Sequence, residues 1–156
     1  MATKLSQLDS VWNKIVRKLE KEPKDWVLYA AKEAERIFKD RLFNVQGGRA
    51  TDGTLLPQYS KGYIKYSKYG KRKRATHWDL VATGDLMGAI KPNVKSENRS
   101  VIEFINNTEV EKDADLEKRA GTTIFTFSKT EKKEVIDETV KEIIKDIKKI
   151  IKESFR

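Results

Sequence analysis

The residues with most to offer chemically lie between positions 59 and 79. Tyr59, Tyr63, Tyr66 and Tyr69 recur every three or four residues, and Lys61, Lys65, Lys68, Lys71, Arg72, Lys73 and Arg74 add positive charge with no acid among residues 61–74. Aromatic rings among bases suit nucleic acid, since rings stack on bases while cations attract phosphates. The same composition suits a protein-contact loop, because Tyr offers large amphipathic area at low entropic cost. The candidate interaction or DNA-channel residues are therefore Tyr63, Tyr66, Lys68, Tyr69, Lys71, Arg72, Lys73 and Arg74, with both readings open.

Catalytic constellations are harder to find. His77 is the single histidine and the chain has no cysteine, so neither a thiolate nor a His/Cys metal set is available. Ser60, Ser67 and Ser128 lack the G-x-S-x-G surroundings of a nucleophile elbow. Gly47-Gly48 is not followed by the G-K-[ST] of a phosphate loop. Asp79 and Asp85 are better read as turn and cap residues than as an acid/base pair. The reading is a non-enzyme that needs no cofactor.

Composition sets the frame for those residues. A chain of 156 residues fits one domain with a real core, here 1–156, and needs no disulfide or metal staple. A net charge of +9 speaks to partners and not to fold. Most lysines alternate with glutamates on helices, which marks solvated faces. The N-terminus carries no secretory signal, and no apolar run approaches the ~20 residues that span a bilayer. The expectation is a soluble chain made in the cytoplasm, with no membrane partner.

The segment from Trp78 to Ile90 is read as the hinge that positions the Tyr/Lys-rich loop, 49–77, on the body. Leu80, Leu86, Met87 and Ile90 would bind the core, and Thr83 would cap a helix that carries Asp85 in its first turn. Before it come two helices. Leu5, Leu8, Trp12, Ile15 and Leu19 form one stripe of an N-terminal arm, 1–22, that Pro23 stops. Pro23 then opens a second helix whose stripe runs Val27, Ala30, Ala31, Ala34, Ile37, Phe38 and Leu42, narrow enough at its alanines to pack on a sheet. Gly47 and Gly48 are read as its end, and Asp52-Gly53 as a turn.

After the hinge, Lys91-Pro92 reads as a break. Val94 opens one strand and Val101, Ile102, Phe104 and Ile105 make a second, joined as an antiparallel hairpin. Residues Glu109 to Ala120 read as a polar helix anchored by Leu116, with Gly121 after its end. Thr122 to Phe127, TTIFTF, reads as a strand. Ser128 and Glu131 have capping-box spacing and start a C-terminal helix, 128–156. Its apolar positions are Val135, Ile136, Val140, Ile143, Ile144, Ile147, Ile150 and Ile151, and its length suggests that the distal end leaves the body. The predicted class is α+β: a small antiparallel sheet on a long central helix, with an N-terminal helix and a long C-terminal helix.

In chain order, Asp52-Gly53, Leu55, Tyr59-Ser60, Tyr63 and Lys65 precede Asp79-Leu80 and Thr83-Gly84-Asp85-Leu86. The hairpin follows, then Leu116-Glu117-Lys118-Arg119 with Gly121, and Ile124-Phe125-Thr126-Phe127-Ser128 before the last helix. This order, over residues 25–155, resembles the virion-morphogenesis and tail-completion proteins of tailed bacteriophages. Many of those proteins carry a tyrosine-alanine pair and an Arg-Pro-Phe segment after the hairpin. This chain reads EVEKDADLEKRAG and TTIFTFS there, so a tail terminator and a head-to-tail joining ring both stay open.

The resemblance implies a structural virion subunit that forms a homo-oligomeric ring in the neck or at the top of the tail, around the DNA channel. Its partners would be copies of itself and portal, adaptor or tail tube proteins, with non-specific contact to packaged DNA. It would reside in the virion after synthesis in the host cytoplasm. The alternative is a nucleic-acid-binding protein that uses the basic loop.

Overall fold

The computed structural model describes residues 2–21, 23–44, 46–68, 70, 76–81, 85–96, 99–104 and 115–155. Its elements are α1 (Ala2–Leu19), α2 (Pro23–Leu42), α3 (Lys61–Tyr66), α4 (Asp85–Ala89), β1 (Ile90–Ser96), β2 (Arg99–Phe104), α5 (115–120) and α6 (Lys129–Ser154). The class is α+β, as the sequence pattern predicts. Helix α2 is central, since it packs on α6 and on both strands.

Pro23 does open α2, with Asp25 in the first turn against the positive end of the helix. The stripe predicted from spacing buries Ala31, Ile37, Phe38 and Leu42. The helix ends at Leu42, five residues before the glycine pair. Trp26 Nε1 donates to Asp146 near one end of α2, and Arg41 pairs with Glu131 near the other, so α2 and α6 run antiparallel. Phe38, Leu42, Ala50, Leu56, Ile90 and Ile124 form the innermost cluster. A cavity of about 100 Å³ lies beside it, lined by Phe38, Ile90, Ile102, Phe125 and Phe127 with Glu103.

The hairpin is present with a different start. Strand β1 begins at Ile90 directly after α4, and Pro92 sits inside it opposite Ile102. Proline is confined to edge strands, and in a two-stranded ribbon both strands are edges, so Lys91-Pro92 does not break the run. Asn93 and Lys95 of β1 both donate to Glu103 of β2, and these donors hold the Glu103 carboxyl below its usual range. Ile105 lies outside the described residues.

The predicted strand at Thr122 to Phe127 is not a strand. Its backbone is satisfied by side chains from elsewhere. Glu117 accepts the N–H groups of Ile124 and Phe125 at 2.6 and 2.9 Å, and Arg41 donates to the carbonyls of Ile124 and Thr126 at 2.9 and 2.8 Å. With those groups taken, no ladder forms, and β propensity yields to tertiary context. The predicted helix over 109–120 is described only for 115–120. Gly121 follows it at φ 66 and donates to the Glu117 carbonyl, the left-handed terminus that Gly favours.

Helix α6 carries the full capping box: Glu131 N–H donates to Ser128 Oγ at 3.1 Å and Ser128 N–H to Glu131 Oε2 at 2.8 Å. Its distal end does not leave the body as its length suggested. Ile150 is buried there, and Lys18 of α1 reaches Glu153 at 3.0 Å. The long apolar stripe divides instead. Val135, Ile143, Ile147 and Ile150 face inward, while Ile136, Val140, Ile144 and Ile151 stay exposed. On α1, Ile15 is buried and Trp12 is exposed, so the arm's stripe is only partly used by its own body.

Candidate functional site

The Tyr/Lys-rich loop stands on a pinned base. Trp78 N–H donates to the Pro57 carbonyl and Tyr59 N–H to the Thr76 carbonyl, with Gln58 opposite His77 in an isolated bridge. Gly48 N–H donates to the Trp78 carbonyl, and the Arg119 guanidinium of α5 lies 5.7 Å from the Trp78 ring. Trp78 thus ties the loop base to the core, which is the role read for the Trp78 to Ile90 segment. Thr83 lies outside the described residues. Met87 is exposed and gives nothing to the core. Residues Ala50 and Leu56, at the start of the 49–77 stretch, are completely buried, so the projecting part begins after them.

From that base the chain enters α3. Ser60 caps it, accepting Tyr63 N–H at 3.1 Å, and Ser67 N–H closes it on the Tyr63 carbonyl at 3.0 Å. Tyr59 stacks on Tyr63 with ring centroids 4.9 Å apart and planes 13° apart. Beyond Lys68 the next described residue of the basic run, Gly70, is buried against α3. A Cβ there would meet the Tyr63 carbonyl oxygen at 2.1 Å. Only glycine lets the basic segment start this close to the helix.

The best-connected polar group of this region was not legible as one in the sequence. The Tyr59 hydroxyl donates to Asp79 Oδ1 at 2.7 Å, and the Asp79 and Val81 N–H groups donate back to Tyr59 Oη and Asp79 Oδ1 at 3.1 and 3.0 Å. Asp79 is buried, and Leu80 beside it adopts a positive φ of 52. Burial, then the bond to Asp79, pushes the Tyr59 hydroxyl well above the ordinary phenol range, so it remains a donor at every physiological pH. Asp79 is the turn residue read from the sequence, accepting Val81 N–H two residues on, and is also a buried loop anchor. Twenty residues separate the two partners, and no local signal joins them.

Among the predicted site residues, Tyr63 is half-buried in the stack, while Tyr66 and Lys68 are exposed. Lys65 Nζ lies 5.1 Å from the Tyr66 ring. Among the described tyrosines of this loop there is no single platform: Tyr59 and Tyr63 stack, and Tyr66 faces solvent. Tyr69, Lys71, Arg72, Lys73 and Arg74 lie outside the described residues.

No known protein family, curated protein or solved structure matches this chain. Its site must be argued from its own residues. Among the described residues, no group of three His, Cys, Asp or Glu side chains is placed to hold a metal ion, and no helix is long and apolar enough to cross a membrane. His77 Nδ1 lies 3.0 Å from Thr76 Oγ1. An open groove of about 460 Å³ is lined by Thr51, Thr122, Thr123, Thr126 and Ser128 with Asp52. The Thr54 hydroxyl and N–H hold the Asp52 carboxyl below its usual range, which makes it a poor proton donor.

The anchor makes a prediction. Tyr59→Phe deletes one donor to a buried carboxylate and one acceptor of its N–H, an expected cost of about 1–3 kcal/mol. The urea midpoint should fall and amide exchange over 60–68 should quicken. An unchanged midpoint with unchanged exchange would show that the bonds do not hold the loop.

Proposed function

We propose that this chain is a structural virion protein of a tailed bacteriophage, a ring subunit of the neck or tail top, which acts by assembly and not by catalysis. The observation that carries the reading is the pairing of a rigidly based, acid-free basic loop with uncovered apolar helix surfaces on one small α+β body. A ring subunit needs heterologous contacts that close by rotation. Trp12 on α1 and the outer side of α6 offer two different uncovered surfaces for them. The ordered motifs from Asp52-Gly53 to Ser128 supply the phage context.

In this reading the basic residues at 68–74 face the DNA channel or an acidic surface of the next ring, and the Tyr59–Asp79 bond sets their root. Replacing Lys68, Lys71, Arg72, Lys73 and Arg74 together by Ser should reduce DNA-retaining particles, scored as infectious yield against total particles. Unchanged yield would reject the role. The same segment supports a second reading, a free nucleic-acid-binding protein, because it carries seven bases and no acid over 61–74. That reading requires tight, salt-sensitive binding of naked DNA by the isolated chain, with log affinity falling steeply with log salt. The assembly reading expects weak, unspecific binding and activity only in the particle.

A further inference from the structure

Helix α3 contains a glycine that its own fold does not use. Gly62 stands in the first turn without a positive φ, and a Cβ built on it would meet nothing within 4 Å. Glycine weakens a helix relative to alanine, so a position free of both strain and packing gains from a side chain. Gly48 and Gly70 differ, because a Cβ there strikes the protein's own backbone. The use that remains for Gly62 is a close approach from outside the chain.

Its surroundings say what approaches. Lys61 and Lys65 form one row of α3, and Gly62 and Tyr66 form the next, so the missing side chain leaves a notch between the ammonium groups and the Tyr66 ring. All four residues are exposed, Tyr66 at 73%. Tyr63, on the side of the helix away from the lysine row, stacks on Tyr59, so α3 is held from beneath while the lysines stand outward. No Asp or Glu occurs from Gly53 to Trp78, and neither Lys61 nor Lys65 makes an ion pair with a described residue.

We propose that Lys61, Gly62, Lys65 and Tyr66 form a contact site for the phosphate backbone of duplex DNA. This rests on the reading of a ring around a DNA channel and names residues of α3, ahead of 68–74, that meet the DNA. The two ammonium groups neutralise phosphates, Gly62 lets the strand come close to the helix, and the Tyr66 hydroxyl donates to a phosphate oxygen. Such a contact carries no base preference. An acidic protein surface fits less well, since lysine is depleted from the desolvated centre of protein interfaces. A second copy of this chain, at a net charge of +9, would repel the patch. Single strands fit less well too, because they are held by rings that stack on successive bases. Here Tyr59 and Tyr63 are stacked on each other, and Lys65 Nζ already lies 5.1 Å from the Tyr66 ring.

Fluorescence anisotropy of the full chain on a labelled mixed-sequence duplex, repeated over a range of salt, tests this, with circular dichroism melting as the check on folding. The wild type should bind weakly, with log affinity falling linearly with log salt. K61S/K65S should make that slope shallower by roughly 1.8, two phosphates at about 0.9 each. Tyr66→Phe should weaken binding roughly threefold to tenfold through the lost hydroxyl. Gly62→Leu separates the site from the fold: it should melt no lower than wild type, as a better helix former, yet bind about fivefold more weakly because the notch is filled. A slope unchanged in K61S/K65S, or a G62L that binds as wild type does, overturns the site and leaves DNA to the bases beyond it. Poly-glutamate that displaces the duplex as well as unlabelled duplex does overturns DNA as the occupant in favour of an acidic protein surface. A wild type that binds no duplex at low salt overturns the site too. The ring reading fails separately, on a particle that holds no copy of this chain.

Discussion

Arg41→Ala should be among the most damaging single substitutions in this protein, at about 3–5 kcal/mol, the cost of breaking a buried ion pair from one side. The guanidinium donates to Glu131 Oε1 at 2.6 Å, to the Arg49 and Ile124 carbonyls at 2.8 and 2.9 Å, and to the Thr126 carbonyl at 2.8 Å. Four hydrogen bonds thus tie the end of α2 to the start of α6 and to both loops that cross between them. Glu131 is itself the capping-box residue of α6, so the substitution leaves a buried carboxylate short of its counter-charge at a helix start. The guanidinium also sits 5.1 Å from the Phe38 ring, which meets Phe127 at 4.9 Å. Thermal melting should drop by roughly 10 °C, at 2–4 °C per kcal/mol for a chain of this size. Arg41→Lys should recover only part, since an ammonium cannot reach the carbonyls with a planar fork. Equal stability of R41A and wild type would mean that the bonds break even with solvent.

Gly48→Ala should be comparably harmful for a different reason. A Cβ at this position would stand 2.4 Å from the Leu42 carbonyl oxygen and 3.1 Å from that of Trp78. Both are backbone atoms, so no side-chain rotation relieves the clash. The Gly48 N–H donates to the Trp78 carbonyl, and its own carbonyl accepts Leu56 N–H at 2.9 Å, which fixes the strand-like crossing from both sides. Making room would displace the end of α2 or the root of the Tyr/Lys loop, and with it fully buried Leu42 and Leu56. The expected cost is about 3 kcal/mol, the upper part of the range for overpacking. Denaturant unfolding measures it directly, and a loss under 1 kcal/mol would show that α2 can shift without penalty.

These two residues also mark where reading the sequence stops. Helices α1, α2 and α6 were legible because their stripes, Pro23 and the Ser128/Glu131 box are local patterns. Arg41 and Gly48 give no such pattern: one is a base in the last turn of α2 and the other half of a glycine pair. Their weight comes from partners eighty and thirty residues onward, Ile124 and Trp78. The misread strand at Thr122 to Phe127 has the same origin, since its β-branched and aromatic residues signal a ladder that Arg41 and Glu117 preclude. The candidate site divides similarly. Tyr63 and the bases of 61–74 are visible by type and spacing, whereas the Tyr59–Asp79 bond that roots them exists only once the chain has folded.

The physical account of the fold and the proposal about function meet at the loop base. Arg41 and Gly48 hold the core on which Trp78 rests, Trp78 and Asp79 hold Tyr59, and Tyr59 stacks on Tyr63 of α3. Above this base Lys61, Lys65 and Lys68 are exposed, and the proposed ring would turn that charge to its channel or to its neighbour. The most direct test is electron cryo-microscopy of the intact phage particle. The account predicts a closed ring of this chain at the neck or the tail top, with its basic segments turned to the DNA or to the adjoining ring. Complete, infectious particles that contain no copy of this chain would contradict it.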